Sequence, residues 1–350
     1  MRSQETIFIS YDEFEMTGVQ LHGGHNEVFV GKYSDKLFAL KLLDDMQTVA
    51  EEKMKYDLMR VFGVVVPDTY IVQDEVSEKC YIASEIIPYT FDARILFKSH
   101  CEKSPRAWTF VDDTLLEMTD LYGNVLCISR QELFGPGDYG DGKLSGEIKS
   151  EIRRDLAAFI FIDDGVPLGI TGIKTYGPHS STKDFVDSVP RYFSNLLLLM
   201  KKEGEDLKVA PIKIDGDGLF KLPGEFKEDS TPGVDVLLEL RGLSGDRFGH
   251  SGSTATNKRL RYDFFAESKP EEILSGLDRV CEMTNEQLND LIGDERFTPF
   301  LPEGRQEAIM GYCREKLERF LEIRDQLQQK MLESVGETDF SCVRPSGPGC

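Results

Sequence analysis

Residues 36–43 read KLFALKLL, and the place of Lys41 within them governs how the rest of the chain is read. Side chains alternate along an extended strand, so Phe38, Leu40 and Leu42 take one face and Lys41 the other, between Ala39 and Leu43. A lysine among apolar neighbours needs an acidic partner; the ordinary alternative is a solvent-facing lysine that guards an edge strand. Upstream, MTGVQL (16–21) and EVFVGKY (27–33) have strand character, separated by HGGHN, and the short Ser34-Asp35 turn leads into 36–43. Together the three segments predict an antiparallel meander. Downstream, MQTVAEEKMKYDLMRV (46–61) carries Val49, Met54, Leu58 and Val61 at helical spacing, and Phe62 and Gly63 follow as its expected end. VVVPDTYIVQ (64–73) and KCYIASEII (79–87) then predict two more strands, joined at Asp74 to Glu78 and stopped by Pro88. The expected order is strand, strand, strand, helix, strand, strand. Glu52 on that helix is the natural partner for Lys41, with Glu51 beside it; either could instead be a solvated helix charge.

The chain of 350 residues exceeds a typical single domain, so two lobes around one cleft are expected. With 40% hydrophobic and 29% charged residues it can bury a core, and no run of apolar residues reaches membrane-spanning length. A net charge of −21 opposes coating nucleic acid or an anionic membrane over the whole surface, so no nucleic-acid partner is expected, although local basic patches stay open. The seven cysteines are scattered and never form C-x-x-C, which disfavours a disulfide framework or a zinc site and points to reduced, cytosolic thiols. MRSQETIFISYDEFEM lacks the apolar stretch of a Sec-type signal; export by a specialised system leaves no such mark.

Beyond Pro88 lies a mixed region to Ile128, then the loop FGPGDYGDGKLSGE (134–147). EIKSEIRRDLAAFIFI (147–162) places Ile148, Ile152, Leu156 and Phe159 on one helical face. A polar insertion runs from Asp163-Asp164 to Pro190, and SNLLLL (194–199) and VAPIKIDGDGLFKL (209–222) predict a hairpin around Lys201 to Asp206. Residues 224–262 are rich in Gly, Ser and Asp, 270–334 return to helical periodicity, and 335–350 read as a flexible tail. In HGGHN, Gly23 and Gly24 would let backbone amides approach an anion, or they simply make a turn. The strand PIKID delivers Asp215 to a glycine, where a carboxylate could hold a metal; the alternative is an Asp-Gly turn, to which Asp217 would also belong.

FALKLL (38–43) resembles the V-A-I-K strand of protein kinases, and EEKMKYDLMRVFGVVVPDTYIV (51–72) is similar to the helix and G-x-x-V-P-x-T segment of HipA-like and phosphatidylinositol-kinase-like proteins. The resemblance implies a bilobal α+β kinase fold: a small antiparallel-sheet lobe with one helix (1–90) and a larger, mainly helical lobe (91–334). It implies ATP with Mg²⁺ or Mn²⁺ in the cleft, Lys41 on the phosphates and Glu52 holding Lys41. Gly23 and Gly24 would cover the phosphates, while Glu85, Ile86, Ile87 and Pro88 form the hinge beside the adenine; Ile86 and Ile87 could equally be plain core. IDGDG resembles the D-F-G region, making Asp215 a metal ligand, and Asn195 falls where kinases carry a second one. The kinase spacing would put the base at Pro190, so Asp187 is the first choice, with Asp184 and Asp163-Asp164 as alternatives and Arg191 nearby. The chain also resembles effector kinases of intracellular bacterial pathogens, one of which depends on inositol hexakisphosphate. This resemblance implies a protein substrate, delivery into a host cytosol, and Arg247, Lys258, Arg259 and Arg261 as an anion site for an inositol polyphosphate activator. A solvated helix face explains that basic cluster equally well. A lipid or inositol kinase, or a non-catalytic pseudokinase, would use the same parts.

Overall fold

The computed structural model describes residues 7–21, 26–96, 108–111, 114–134, 143–163, 195–203, 206–216, 218–223, 225 and 268–338. The KLFALKLL segment is strand β4 (Lys36–Leu43), which lies inside a six-stranded sheet with β1 (Phe8–Ser10), β2 (Glu15–Leu21), β3 (Val28–Tyr33), β5 (Thr69–Gln73) and β6 (Cys80–Glu85). The order is β1-β5-β6-β4-β3-β2; β1 runs parallel to β5 and the other pairs are antiparallel. The alternation in β4 does what the pattern requires. Phe38 and Leu40 bury on one face with Ile9, Phe14, Val72, Tyr81 and Ala83, where Phe38 meets Phe14 and Tyr70 edge-on at 5.7 and 5.8 Å.

The opposite face, which carries Lys41 and Ile82, is covered by α1 (Met46–Val61). Asp45 starts that helix, its Oδ1 accepting the Thr48 N–H at 2.7 Å. Val49, Met54, Leu58 and Met59 are buried against the sheet and against the helices that follow. Phe62 packs edge-on against Phe161 at 5.0 Å, and Phe161 against Phe320 at 5.6 Å, so one apolar core runs from the sheet into the C-terminal helices.

That C-terminal part contains α2 (Arg130–Phe134), α3 (Lys143–Arg154), α4 (Leu156–Phe161), α5 (Pro270–Cys281), α6 (Asn285–Ile292) and α7 (Arg305–Thr338). It also carries two three-stranded sheets. One joins β7 (Thr90–Asp92), β11 (Leu196–Glu203) and β12 (Asp206–Lys213); the other joins β8 (Trp108–Phe110), β9 (Leu115–Thr119) and β10 (Val125–Ser129). The architecture is therefore α+β, an N-terminal sheet with one helix followed by a mainly helical part.

Three local expectations are corrected. The single helix over 147–162 is two helices meeting at Asp155, where α5 comes unusually close: a Cβ on Gly276 would stand 2.1 Å from the Arg154 carbonyl oxygen. Arg279 of α5 fixes that junction by donating to Asp155 at 3.0 Å and Glu151 at 2.8 Å. The mixed region before Ile128 forms the β8–β10 sheet. The helix expected to stop at 334 continues to Thr338, since no proline interrupts the chain before Pro345.

Candidate functional site

Lys41 crosses from β4 to α1 and meets Glu52, both of whose oxygens accept from Nζ at 3.1 Å. The same Nζ donates to Asp215 Oδ1 at 2.9 Å, two residues beyond the end of β12. Strand, helix and hairpin thus converge on one ammonium group. Glu52 is fully enclosed, whereas the Lys41 and Asp215 side chains keep 19% and 31% of their surface, so the cluster is not sealed from solvent. Burial by itself would lower the Lys41 pKa, but the Glu52 and Asp215 carboxylates outweigh it and hold the ammonium above its ordinary value. Burial pushes the Glu52 carboxyl up; Lys41 pulls it down without cancelling the effect, and Asp215 adds to the rise.

Asp215 is brought there by register. In the β11–β12 ladder Leu196 pairs with Lys213, and the Ile214 N–H donates to the Asn195 carbonyl at 3.1 Å. Asn195 and Asp215 therefore sit at the same end of one hairpin. The next residue is glycine for a reason: a Cβ on Gly216 would lie 2.9 Å from Glu52 Cγ, closer than Cβ atoms ordinarily come, so one of the two would have to shift. The Gly216 N–H faces Glu52 Oε1 at 3.5 Å. Lys213, buried to 1% exposure, turns its ammonium back onto the Asp215 carbonyl.

The segment after β6 is held by β4 and by residues outside the sheet. Ile86 N–H donates to Leu37 O at 2.8 Å, and Tyr122 donates its hydroxyl to the Ile86 carbonyl at 2.7 Å while accepting the Leu37 N–H at 3.2 Å. Asp120 accepts the Tyr89 N–H at 2.6 Å, and the half-buried Ile87 has its carbonyl capped by Thr90 Oγ1 at 2.7 Å. Glu85 goes elsewhere. It pairs across the ladder with Phe38, on the face opposite Lys41, and its carboxylate accepts from Lys36 at 2.7 Å. The structure thus brings Lys41, Glu52, Asp215 and Asn195 together, leaves Ile86 and Ile87 on the strand exit, and turns the Glu85 side chain away.

Asp163 is completely buried: Oδ1 takes the Tyr312 hydroxyl at 2.7 Å and the Lys316 ammonium, and Oδ2 takes the Lys221 N–H at 3.0 Å. Burial raises its pKa, but Lys316 and Lys55 overcome that and hold the carboxylate ionised. Enclosed on all sides, it is an anchor and not a base that meets an acceptor hydroxyl. Gly23, Gly24, Asp164, Asp184, Asp187, Arg191, Asp217, Arg247, Lys258, Arg259 and Arg261 lie outside the described residues. Sequence reading missed Tyr122 and Lys55, whose partners are distant in the chain, and Lys213, whose partner is two residues on; the alternation in PIKID, which puts Lys213 and Asp215 on one face, was the available signal for Lys213.

Among the described residues, no helix is long and apolar enough to cross a membrane. No protein-family model matches the chain, and no curated protein matches it in sequence. Among solved structures, WaaP in complex with acyl carrier protein aligns over 87% of this chain and 89% of its own, at 11% identity and a TM-score of 0.31. The chain is similar to the Helicobacter pylori proinflammatory kinase CtkA over 92% of its length and 99% of that chain, at 15% identity and a TM-score of 0.50. At that identity the likeness is one of fold, and the fold of this chain is kinase-like.

Proposed function

We propose that the chain is an ATP-dependent phosphotransferase, with lobes 1–90 and 91–334 enclosing the nucleotide and the hydroxyl of a protein Ser or Thr as acceptor. The observation that carries this reading is Lys41, held at once by the enclosed Glu52 and by the partly open Asp215. An ammonium kept charged and fixed in direction is what phosphate oxygens require, and phosphoryl transfer depends mostly on such positioning. Glu52 orients Lys41. Asp215 and Asn195 supply carboxylate and amide oxygens at one end of a hairpin, the hard donors that magnesium takes, so the donor set fits the ion. Mg²⁺, when bound, would neutralise charge on the phosphates. Asp187 is proposed to position the acceptor hydroxyl, and Gly23 and Gly24 to cover the phosphates. Ile86 and Ile87 would flank the adenine; for Glu85 only its backbone remains in that role.

Arg247, Lys258, Arg259 and Arg261 are proposed to take an inositol polyphosphate as activator, inositol hexakisphosphate being the first to try. The unpaired thiols of Cys80, Cys127, Cys281 and Cys313 support action in a reducing cytosol, the host's if a specialised system exports the protein. The test incubates purified protein with γ-labelled ATP and Mg²⁺ or Mn²⁺, with and without inositol hexakisphosphate, beside Lys41→Ala and Asp215→Ala. The reading expects wild-type labelling of protein Ser or Thr that both variants lose. No labelling under any condition would leave a non-catalytic pseudokinase acting as a binding module, and labelling confined to phosphoinositides would replace the protein substrate with a lipid.

A further inference from the structure

Helix α7 begins with an arginine committed to two other parts of the chain. Arg305 is 8% exposed; its Nε and Nη2 donate to Glu51 Oε1 and Oε2 at 2.7 and 3.1 Å. Nη2 also reaches the Phe220 carbonyl at 3.2 Å, and Nη1 pairs with Glu225. Glu51, fully buried on α1, accepts the Phe220 N–H at 2.7 Å and the Gln47 amide at 2.8 Å. Phe220 is thereby held at both its N–H and its carbonyl. One turn along α1, the buried Lys55 donates to the Leu219 carbonyl at 2.8 Å, its ammonium 5.1 Å from the Phe220 ring centre. Farther on, Lys221 is tied to Asp163, which Tyr312 and Lys316 grip from α7. Residues 305, 312 and 316 share one face of that helix.

A bidentate guanidinium–carboxylate pair fixes direction as well as distance, and the carboxylate gripped here is the chain neighbour of Glu52. We propose that Arg305 is a positioning residue for the Lys41 site. Through Glu51 and Phe220, the C-terminal helix holds α1 and the segment after Asp215 in the register that lets Glu52 meet Lys41. The proposal rests on reading Lys41 as the phosphate-binding lysine. Stability alone gives little reason for such a pair, because apolar residues of the same shape commonly do as well or better.

The test uses the full chain and compares wild type with Arg305→Met, Arg305→Lys, and Ile323→Val, a core deletion elsewhere on α7. Two quantities are measured: hydrogen exchange of the peptide containing Phe220, and the dissociation constant of ADP with Mg²⁺. Arg305→Met is expected to raise both by about tenfold, the effect of losing bonds to a charged group. Arg305→Lys keeps the charge without the fork and recovers only part. Ile323→Val lowers the melting temperature and moves neither. If Arg305→Met does not fold, Glu51→Gln/Arg305→Met, which leaves no unpaired buried carboxylate, replaces it with the same expectation. Wild-type values in the Arg305 variants, or equal changes in Ile323→Val, overturn the proposal. If wild type binds no ADP, the phosphate-binding reading fails, and exchange at Phe220 alone then decides whether Arg305 positions the segment.

Discussion

Gly216→Ala should change sign with the residue at position 52. A Cβ added at Gly216 would stand 2.9 Å from Glu52 Cγ, some 0.5 Å short of ordinary contact, while the next atoms, Glu52 O and Cδ, lie at 3.5 and 3.7 Å and are acceptable neighbours. Glu52 cannot retreat freely, since it is fully buried and both its oxygens are engaged by Lys41. Overpacking of this kind costs about 1–3 kcal/mol. Alanine also restricts the unfolded chain, returning roughly 0.4–1 kcal/mol, and Gly216 is not in the left-handed region, so its backbone accepts alanine. The net expectation is a loss of about 1–2 kcal/mol. In a Glu52→Ala background the offending Cγ is gone, and the same substitution becomes neutral or stabilising. Urea denaturation of the four proteins gives the coupling directly, provided the slope is unchanged across the set. Equal costs in both backgrounds would refute the contact, and with it the claim that the residue after Asp215 is glycine to let Glu52 pass.

Two further outcomes follow from the buried polar groups. Asp163→Asn keeps the shape, and asparagine tolerates the φ of +61° at this position, but the charge opposite Lys316 is lost, at about 3 kcal/mol near neutral pH. Because the folded pKa is depressed, that stability is present above the unfolded value of about 4 and disappears as pH falls through the folded pKa. The gap between wild type and variant in denaturation experiments should therefore be full above that value and close in acid; a gap independent of pH would contradict the ion pair. Thr69 is 3% exposed and its hydroxyl is the one buried side-chain polar atom without a partner among the described residues. Thr69→Val should be neutral or stabilising by up to ~1 kcal/mol in thermal unfolding, and a loss beyond ~1 kcal/mol would mean that the hydroxyl is satisfied.

What the sequence disclosed was local. The limits of β4 and α1 are those read from the alternation of 36–43 and the helical spacing of 46–61, because both patterns are carried by neighbouring residues. β1 escaped because three residues carry no period, and it is a strand only by pairing with β5, some sixty residues on. The choice between Glu51 and Glu52 needed three dimensions. Consecutive helical residues point about 100° apart, so one faces Lys41 and the other Arg305, and both are buried partners, neither of them solvated. Asp163 read as a possible base because it opens the Asp163-Asp164 pair after a helix; its actual partners are 58, 149 and 153 residues away. Glu85 shows the converse case. It belongs to the strand that leads to the expected hinge, yet the ladder assigns its side chain to the far face.

The most direct measurement of the central claim is calorimetric titration of ATP into wild type, Lys41→Met and Asp215→Asn, each with and without Mg²⁺. If Lys41, Glu52 and Asp215 form a nucleotide-phosphate site, wild type binds ATP and binds it more tightly with Mg²⁺. Lys41→Met should weaken binding in both conditions, and Asp215→Asn should lose the Mg²⁺ dependence. Wild-type protein that does not bind ATP, or Asp215→Asn protein that keeps the full Mg²⁺ effect, would contradict the account.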